Sequence, residues 1–517
     1  MQGEARHLGA EGVGTSVTVL RPLLLAVLGG VVAATSVQPV GLWPLGLVGA
    51  GLLTLAWWQA TSRPVRALAG GLWALSMLLC TTLWVIDFQA VGYVVLALLG
   101  ASFFTAAGAL VPTGGAWAGV GAAGAITVAE ALRARVPFQG FPMGGLPQGQ
   151  ADGPLAATAR LGGTTLVTLA AALVAAALAE AVRRRPRRAA ALLLVPVLAA
   201  GVGAITPPGR QVGTLRVTAV QGGGPRGTRG VATAARDVLD RHLAASRTIA
   251  PGTVDVVLWP ENAVSLRGPT AGSPEGEELA AEARRLQAVL LVGVVEDLPE
   301  QRFFNAQLAF APDGRLIGRY DKVHRVPFGE YAPLRDLVAK VADLSLLPRD
   351  AVRGEGPGLL PGPAGQRLGV VISYEVFFGD RSRSAIRNGG QVLLVPTNAA
   401  SYETSQVPDQ EVAAARLRAW ETGRDVVQSA PTGFSAFVTP NGTVTQRTDL
   451  GAQEVISAAV PLRTGSTPYL RTGDQPWLLL ALAGLAAPAG ANVLARRSGR
   501  RRRPAAPLSE DRTERAA

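Results

Sequence analysis

Long apolar segments are the sequence feature that most constrains how this chain can fold. A helix that crosses the hydrocarbon core of a bilayer needs about 20 mostly apolar residues. Eight segments of the 517-residue chain approach this length, at about 17–36, 42–60, 67–86, 90–111, 115–132, 158–182, 189–206 and 475–495. Seven such segments in succession predict a multi-pass helical membrane domain rather than the core of a soluble protein.

The positions of arginine predict how these spans are oriented, because cytoplasmic loops are enriched in Arg and Lys. Arg clusters lie at 183–188, between the sixth and seventh spans, and at 496–503, after the eighth. A smaller pair lies at 63–66, between the second and third spans. Eight spans put all three clusters in the cytoplasm and the region between the last two spans outside. Arg133 and Arg135, after the fifth span, fit this topology less well.

We therefore divide the chain into four parts. The predicted parts are a seven-helix transmembrane domain at 1–206, an extracytoplasmic domain at 207–474, an eighth transmembrane helix at 475–495 and a basic cytoplasmic tail at 496–517. A net charge of +12 would also suit nucleic-acid binding, but most of it lies beside membrane spans. Anionic lipid headgroups explain it more simply, so no nucleic-acid partner is expected.

Cysteine and histidine are scarce, which limits the chemistry that the chain can support. One Cys, Cys80, and three His exclude an intramolecular disulfide framework and a Cys-rich zinc site. We expect neither a metal nor another cofactor.

Residues 213–465 have the pattern of an α/β domain, because short apolar runs alternate with segments of helical periodicity. Near-continuous apolar runs are typical of strands that are covered on both faces. Hairpin turns are predicted at Asp313-Gly314 and Asn441-Gly442. Helices are predicted within 230–250, 276–287 and 410–424. The predicted strands lie at 215–220, 254–258, 289–294, 307–310, 368–372, 392–396, 434–438 and 455–460.

Two charged residues follow strand-like runs, where open α/β sheets place their chemistry. Glu261 comes directly after such a run, and a carboxylate that is partly desolvated there has a pKa suited to a general acid or base. Lys322 is one of only two lysines among 49 basic residues, and Arg cannot imitate a buried amine. Glu330 follows Lys322 eight residues later, past a Pro-Phe-Gly turn.

Ser373 ends another apolar strand and begins a turn, which is where a nucleophile lies at a strand-to-helix elbow. No base adjoins it in the sequence, so Ser373 taken alone suits a turn hydroxyl equally well. A Ser-His-Asp site would need His242 or His324 and is not favoured, because no Gly-x-Ser-x-Gly elbow is present. We assign His242 to a solvated helix face.

Taken together, Glu261, Lys322 and position 373, each after a strand and in this order, resemble the carbon–nitrogen hydrolase (nitrilase) superfamily. Eight spans with this domain between the last two resemble the apolipoprotein N-acyltransferase family in particular. The matching motifs are Val220-Gln221-Gly222, Trp259-Pro260-Glu261, Val326-Pro327-Phe328-Gly329-Glu330, Tyr374-Glu375 and Arg416-x-Arg418-Ala419-x-Glu421.

The resemblance implies a fold class and a reaction. The fold is a multi-pass α-helical membrane domain of about eight spans plus an extracytoplasmic, nitrilase-like α-β-β-α sandwich. In the reaction, an acyl chain passes from a membrane phospholipid to the nucleophile, and then to the α-amine of a diacylated apolipoprotein at the bacterial inner membrane. The resemblance leaves the substrate-binding residues unassigned.

The resemblance also assigns roles to individual residues. Glu261 is the general base, Lys322 stabilises the oxyanion, and position 373 is the nucleophile. Glu330, Tyr374 and Glu375 are supporting residues.

Three departures from the family pattern affect these expectations. Ser373 stands where the family has Cys, and Cys80 cannot replace it because we place Cys80 within the third span, far from the outer domain. The segment 397–402 departs from the family's Ser-Asn-Asp-x-Trp-Phe, and the segment 223–230 lacks a family Trp. A hydroxyl is less acidic than a thiol, so we expect slowed transfer unless Ser373 has a stronger base than the family supplies.

Two alternatives stay open on sequence alone. One is a catalytically weakened homologue that binds lipid or lipoprotein. The other is a membrane-bound amidase or lipid hydrolase.

Overall fold

The computed structural model describes residues 4–340, 344, 345 and 347–487, with side chains from residue 18 onward. The eighth predicted span is therefore described as far as Ala487. The predicted basic tail at 496–517 lies outside the described residues.

Seven helices precede the first strand. They are α1 (Glu4–Ala34), α2 (Trp43–Gln59), α3 (Arg63–Thr81), α4 (Ala90–Leu110), α5 (Ala118–Arg133), α6 (Ala159–Val182) and α7 (Pro186–Ile205). Within the part of the chain that the structure describes, four segments are long and apolar enough to cross a membrane, namely α3, α4, α7 and α6 with the turn before it. The apolar part of α1 and a helix at Gln475–Ala487 are shorter. A count of eight spans stays a prediction.

The outer faces of this bundle are strongly apolar. On α4, Val91 and Val95 are 69% and 56% exposed, and on α7, Val197 and Leu198 are 64% and 57% exposed. Water would be an unfavourable neighbour for such a large apolar surface, whereas lipid acyl chains cover it at no cost. The chain is a membrane protein.

Small residues let the helices of the bundle approach closely, as is common between membrane helices. A Cβ atom on Gly49 of α2 would lie 2.3 Å from the carbonyl oxygen of Gly29 on α1, so only glycine permits this crossing. The Nε1 atom of Trp73, on α3, donates to the same Gly49 carbonyl at 3.0 Å. Helix α6 lies at the centre of the bundle, where it packs against α2, α5 and α7.

The second half of the chain builds two sheets. Its strands are β1 (Arg210–Gln221), β2 (Val256–Leu258), β3 (Val264–Leu266), β4 (Val289–Leu298), β5 (Arg302–Phe310), β6 (Leu316–Asp321), β7 (Asp350–Ala351), β8 (Leu359–Pro361), β9 (Arg367–Val370), β10 (Leu393–Pro396), β11 (Val426–Ser429), β12 (Ala436–Val438), β13 (Val444–Arg447) and β14 (Glu454–Thr464). The first sheet has the order β14-β1-β2-β4-β5-β6, with β3 paired to β4 and β7 to β5. The second has the order β13-β12-β11-β10-β9-β8.

Helices cover the outer faces of both sheets. The helices of this half are α8 (Thr228–Val231), α9 (Ala235–Ser246), α10 (Pro274–Leu286), α11 (Arg335–Val338), α12 (Gly379–Arg387), α13 (Gln406–Thr422), α14 (Pro468–Thr472) and α15 (Gln475–Ala487). Helices α9 and α10 pack on the first sheet, and α12 and α13 on the second. Apolar residues of both sheets, such as Val217, Leu258, Leu368 and Leu394, form the core between them. This α-β-β-α sandwich confirms the predicted nitrilase-like domain.

The prediction for His242 was wrong. This residue lies on α9 but is 1% exposed, because it continues the apolar face formed by Leu239 and Leu243 against the first sheet. Its Nδ1 atom lies 2.7 Å from the carbonyl oxygen of Val238, and its ring packs against Trp259. Burial lowers the pKa of His242 to about 4, so the ring is neutral at physiological pH.

Side chains of α6 attach the bundle to the α/β domain. The guanidinium of Arg160 donates to the carbonyl oxygens of Thr206 at 2.7 Å and Pro440 at 2.6 Å, and stacks 4.5 Å from the ring of Trp420. The backbone N–H of Thr164 donates to Glu421 on α13 at 3.0 Å. These contacts fix the orientation of α13 over the second sheet.

The two arginines that fitted the predicted topology poorly have structural roles. Arg133 pairs with Glu130 at 2.7 Å and donates to the carbonyl oxygens of Phe141 and Met143. Arg135 forms an ion pair with Asp474. Because both guanidinium groups are held by protein partners, they carry little information about which side of the membrane the loop occupies.

Candidate active site

Glu261 lies at the carboxyl end of β2, in the first sheet. The strand continues through Trp259, whose N–H donates to Leu291 of the neighbouring strand at 2.8 Å, and Pro260 then ends the pairing. A Cβ atom on Gly293 would lie 2.2 Å from the carbonyl oxygen of Pro260, so glycine in β4 leaves room for this turn. The Glu261 side chain is buried.

Lys322 follows β6 and brings its ammonium group to Glu261. Its Nζ atom lies 2.8 Å from Oε1 of Glu261 and 2.8 Å from Oε1 of Glu330. Asn305, on β5, donates through Nδ2 to the same two oxygen atoms, at 2.7 and 3.0 Å. The structure thus joins the predicted Glu261, Lys322 and Glu330 and adds Asn305, which the sequence analysis missed.

The electrostatics of this cluster keep the lysine charged. Burial alone would lower the pKa of Lys322, but the adjacent Glu261 and Glu330 carboxylates raise it above its ordinary value. Burial raises the pKa of Glu261, and Glu330 adds to that effect, whereas Lys322 and Asn305 oppose it. One ammonium shared by two carboxylates is a fixed positive charge in a water-poor environment, which is suited to stabilising an oxyanion.

Glu375 connects the loop that begins at Lys322, here called the lysine loop, to the turn that carries Ser373. Its Oε1 atom accepts hydrogen bonds from the N–H groups of Val323 and His324, at 2.8 and 3.0 Å. Its Oε2 atom accepts from the N–H of Ile372 at 2.8 Å, and Tyr320 donates its hydroxyl to the carboxylate at 2.9 Å. One fully buried side chain therefore sets the spacing between Lys322 and Ser373.

Ser373 begins a 3₁₀ turn after β9, with Val371 and Ile372 between them, and its backbone has a φ of +48°. A residue with a Cβ atom seldom adopts this left-handed conformation, and such strained positions cluster at functional sites. The residue is 8% exposed. The structure therefore has the strand-to-helix elbow that the sequence predicted for this position.

A second buried carboxyl group lies beside Ser373, at a position that no sequence pattern singled out. Glu411, on α13, accepts a hydrogen bond from the Thr397 hydroxyl at 2.5 Å. The Ser373 hydroxyl also interacts with this carboxyl group, although no hydrogen bond of ordinary geometry joins the two side chains. Burial raises the pKa of Glu411 to about 8, against the effect of both hydroxyl groups.

Tyr374 and Cys80 lie at the junction with the membrane helices. The Tyr374 hydroxyl donates to the carbonyl oxygen of Gly140 at 3.1 Å, in the loop after α5. Cys80 lies in α3 as predicted, but the expectation that it is far from the α/β domain was wrong. Gln406, at the start of α13, donates to the Cys80 carbonyl oxygen at 3.0 Å, because the end of α3 abuts that helix.

A cavity of about 370 Å³ lies between the bundle and the α/β domain. Residues of α5 and α6 line one side, and His324, Phe378 and Asp380 line the other. Glu261, Lys322 and Ser373 are not among its lining residues. The cavity reaches the lysine loop only through His324.

Signals for the two missed residues were weak but present. Asn305 and Gln307 are polar residues two positions apart in an apolar strand, which places both on one face. The Gln307 side chain donates to the carbonyl oxygen of Trp259 at 3.1 Å, so that face points toward the Glu261 turn. Glu411 precedes a run of alanines in a helix whose face is buried, and a carboxyl group there needs partners.

Comparison with known protein families matches both halves of the chain. A carbon–nitrogen hydrolase family model matches residues 216–469, and an apolipoprotein N-acyltransferase N-terminal domain model matches residues 29–177. Among solved structures, an amidase from Nesterenkonia sp. is 18% identical with a TM-score of 0.38, and the match covers 52% of this chain and 96% of that chain.

Curated relatives match as well. An apolipoprotein N-acyltransferase of Vibrio cholerae is 28% identical over 91% of this chain and 96% of its own length. The enzyme of that name from Mycolicibacterium smegmatis is 29% identical over 65% of this chain, and that from Rhodopseudomonas palustris is 31% identical over 53%. The chain spans 62% and 53% of the lengths of these last two relatives. With both of its halves matched in order, the chain belongs to the apolipoprotein N-acyltransferase family.

Proposed function

We propose that this protein transfers a fatty acyl chain from a membrane phospholipid to the N-terminal amine of the diacylglyceryl-cysteine of apolipoproteins, through an acyl-enzyme on Ser373. The observation that carries the proposal is the buried Glu261–Lys322–Glu330 cluster beside a strained serine elbow, on a domain fixed to membrane helices. The matched relatives from Mycolicibacterium smegmatis and Vibrio cholerae are apolipoprotein N-acyltransferases by name.

The geometry supports a division of roles within the site. Lys322 keeps its charge between two carboxylates, so it stabilises the oxyanion of each tetrahedral intermediate. Glu261 acts as a general base, as the resemblance implies, and its raised pKa suits that task. Glu330 holds the ammonium group, and Glu375 holds the Ser373 turn against the lysine loop. Tyr374 anchors the turn to the loop after α5.

The reaction needs a site at the membrane surface, and the chain offers one. We propose eight spans, with the α/β domain of residues 207–474 on the extracytoplasmic side of a bacterial inner membrane and the tail of residues 496–517 in the cytoplasm. The apolar outer faces of α4 and α7 and the direct hydrogen bonds between α6 and the α/β domain support this arrangement. The boundaries of the four parts stay as the sequence predicts them.

Purified protein incubated with labelled phospholipid and a diacylated lipopeptide tests the proposal. We expect a triacylated lipopeptide whose amide-linked chain comes from the phospholipid. Lys322→Met should abolish it, and the exposed Lys340→Met is the control that should not. If wild type gives no triacylated product whereas Ser373→Cys does, the natural protein is not this transferase.

The same assay separates the two alternatives. Free fatty acid released at an unchanged rate without the lipopeptide would indicate a lipid hydrolase. Lipopeptide binding that survives Glu261→Ala, without turnover in wild type, would indicate a binding protein.

A further inference from the structure

Glu411 is a buried carboxyl group to which the proposed roles give no task. It lies in the second turn of α13 and is 2% exposed. Burying a carboxyl group is unfavourable unless partners compensate, so its position beside the elbow serine needs an explanation.

The contacts of Glu411 account for one oxygen atom and leave the other available. The Thr397 hydroxyl donates to Oε1 at 2.5 Å. Among the residues that the structure describes, the buried Oε2 atom has no partner at ordinary hydrogen-bond geometry. Helix α13 packs against the turn that begins at Ser373. The Ser373 hydroxyl interacts with this carboxyl group and lowers its pKa, as a hydrogen-bond donor does. Catalytic hydrogen bonds often tighten only once substrate binds.

Glu261 has different hydrogen-bond partners from Glu411. Its Oε1 atom is held by the Lys322 ammonium at 2.8 Å and by the Asn305 amide at 2.7 Å. Among the described residues, both of these hydrogen-bond partners of Glu261 belong to the lysine cluster, and neither is Ser373. The group that interacts with the Ser373 hydroxyl is instead Glu411.

We propose that Glu411 is the general base that activates Ser373 for its attack on the phospholipid ester, which leaves Glu261 as the general base for the acceptor amine; this inference rests on the proposed transferase function. In the first step, Ser373 Oγ forms a bond to the acyl carbon of the phospholipid ester, and its proton moves to Glu411 Oε2. The ester C–O bond then breaks, and Glu411 returns the proton to the leaving lysophospholipid oxygen. In the second step, the acceptor amine forms the C–N bond to the acyl carbon and gives a proton to Glu261. The bond between the acyl carbon and Ser373 Oγ breaks, and Glu261 passes the proton to Ser373 Oγ.

This assignment supplies what a serine nucleophile requires. Serine needs an adjacent base to attack, whereas a cysteine is partly ionised near neutral pH without one. A base with a pKa of about 8, as burial gives Glu411, lies close to the operating pH, where general-base catalysis is most effective. Glu411 would therefore matter far more to Ser373 than to a cysteine at the same position.

A four-variant cycle tests this role through the rate of acyl-enzyme formation, followed by intact mass in micelles that contain phospholipid. In the Ser373 background, Glu411→Gln should slow acylation by about 100-fold or more, a usual magnitude for loss of a general base. In the Ser373→Cys background, the same change should cost less than about 10-fold, because a thiol needs the base less. Asp409→Asn, on the same helix and paired with exposed Arg447, is the matched control and should match wild type.

Each outcome of the cycle is informative. Equal losses of acylation rate in the two backgrounds would mean that Glu411 has only a structural role. A wild-type rate for Glu411→Gln would mean that Glu411 takes no part in acylation. Either result overturns the inference. An active Ser373→Cys/Glu411→Gln double variant shows that the site still folds. Acylation of neither wild type nor Ser373→Cys would refute the transferase proposal itself. Acylation of Ser373→Cys but not of wild type would refute that proposal for the natural protein, and with it the role of Glu411.

Discussion

The ammonium nitrogen of Lys322 lies 2.8 Å from Oε1 of Glu261, and both side chains are almost fully buried. Glu330 approaches the same nitrogen at 2.8 Å, so one positive charge lies between two carboxylates. Removing one partner of such a buried cluster leaves a charge without compensation, whereas replacing the whole set can be tolerated. This relationship links the stability of the domain to the chemistry of the site.

Lys322→Met should destabilise the protein and abolish acyl transfer. Two facing carboxylates without the ammonium should cost about 3–5 kcal/mol of unfolding free energy. Adding Glu330→Gln should restore much of the stability, because it removes one charge, but none of the transfer activity. Thermal unfolding in detergent and the lipopeptide assay measure the two effects separately. Recovery of transfer by the double variant would contradict the oxyanion role of Lys322.

The rate of Ser373 acylation should rise with pH through about 8. Glu411 must be ionised to accept the serine proton, and burial raises its pKa to about 8. The charged and titratable groups that act on Glu411 or respond to it are Glu261, Lys322 and Tyr402. Glu411→Gln should leave a slow rate without this inflection, as single-turnover acylation from pH 6 to 9.5 would reveal. An unchanged inflection in the variant would assign it to another group.

Glu411→Gln should also make the protein relatively more stable at high pH. The folded state binds the Glu411 proton up to about pH 8, whereas an unfolded glutamate loses it near 4.5. Unfolding free energy should therefore fall as pH rises through this window, by at most about 1.4 kcal/mol per unit. The difference in thermal midpoint, variant minus wild type, should grow from pH 5.5 to pH 8.5. A difference that does not change with pH would mean that Glu411 is already ionised in the fold.

Arg160→Leu should weaken the attachment between the membrane bundle and the α/β domain. It removes the donors to the Thr206 and Pro440 carbonyl oxygens, and the buried Pro440 acceptor left unpaired costs about 1–3 kcal/mol. We expect a lower midpoint for thermal unfolding in detergent, with Arg210→Gln on the exposed start of β1 as the neutral control. A wild-type midpoint for Arg160→Leu would show that these hydrogen bonds add nothing to the junction.

The sequence predicted the parts of the site that follow strands and missed those that depend on packing. Glu261, Lys322 and Ser373 each follow a strand, and strand ends are where sheets carry chemistry. Asn305 was missed because the strand was predicted to begin at 307, whereas β5 begins at Arg302. Glu411 was missed because its approach to Ser373 depends on how α13 lies over the second sheet, which no local pattern encodes.

The fold, like the site, was predicted correctly where local sequence patterns determine it and was missed where packing does. The eight predicted strands each overlap an observed strand, and Asp313-Gly314 and Asn441-Gly442 lie in the turns that join β5 to β6 and β12 to β13. Strand β11 was missed because Val426–Ser429 adjoins the end of α13 with only a short turn between them. His242 was misplaced because a neutral histidine can extend an apolar helix face, and polarity alone does not reveal that.

The intact mass of the protein after exposure to phospholipid tests the central claim most directly. With no acceptor present, wild type should gain the mass of one acyl chain, and peptide mapping should locate it on Ser373. Adding a diacylated lipopeptide should remove the acyl mass and yield the triacylated product. Ser373→Ala should gain no mass. An acyl adduct that persists in Ser373→Ala, or a wild-type protein that never gains one although it makes the product, would contradict an acyl-enzyme on Ser373.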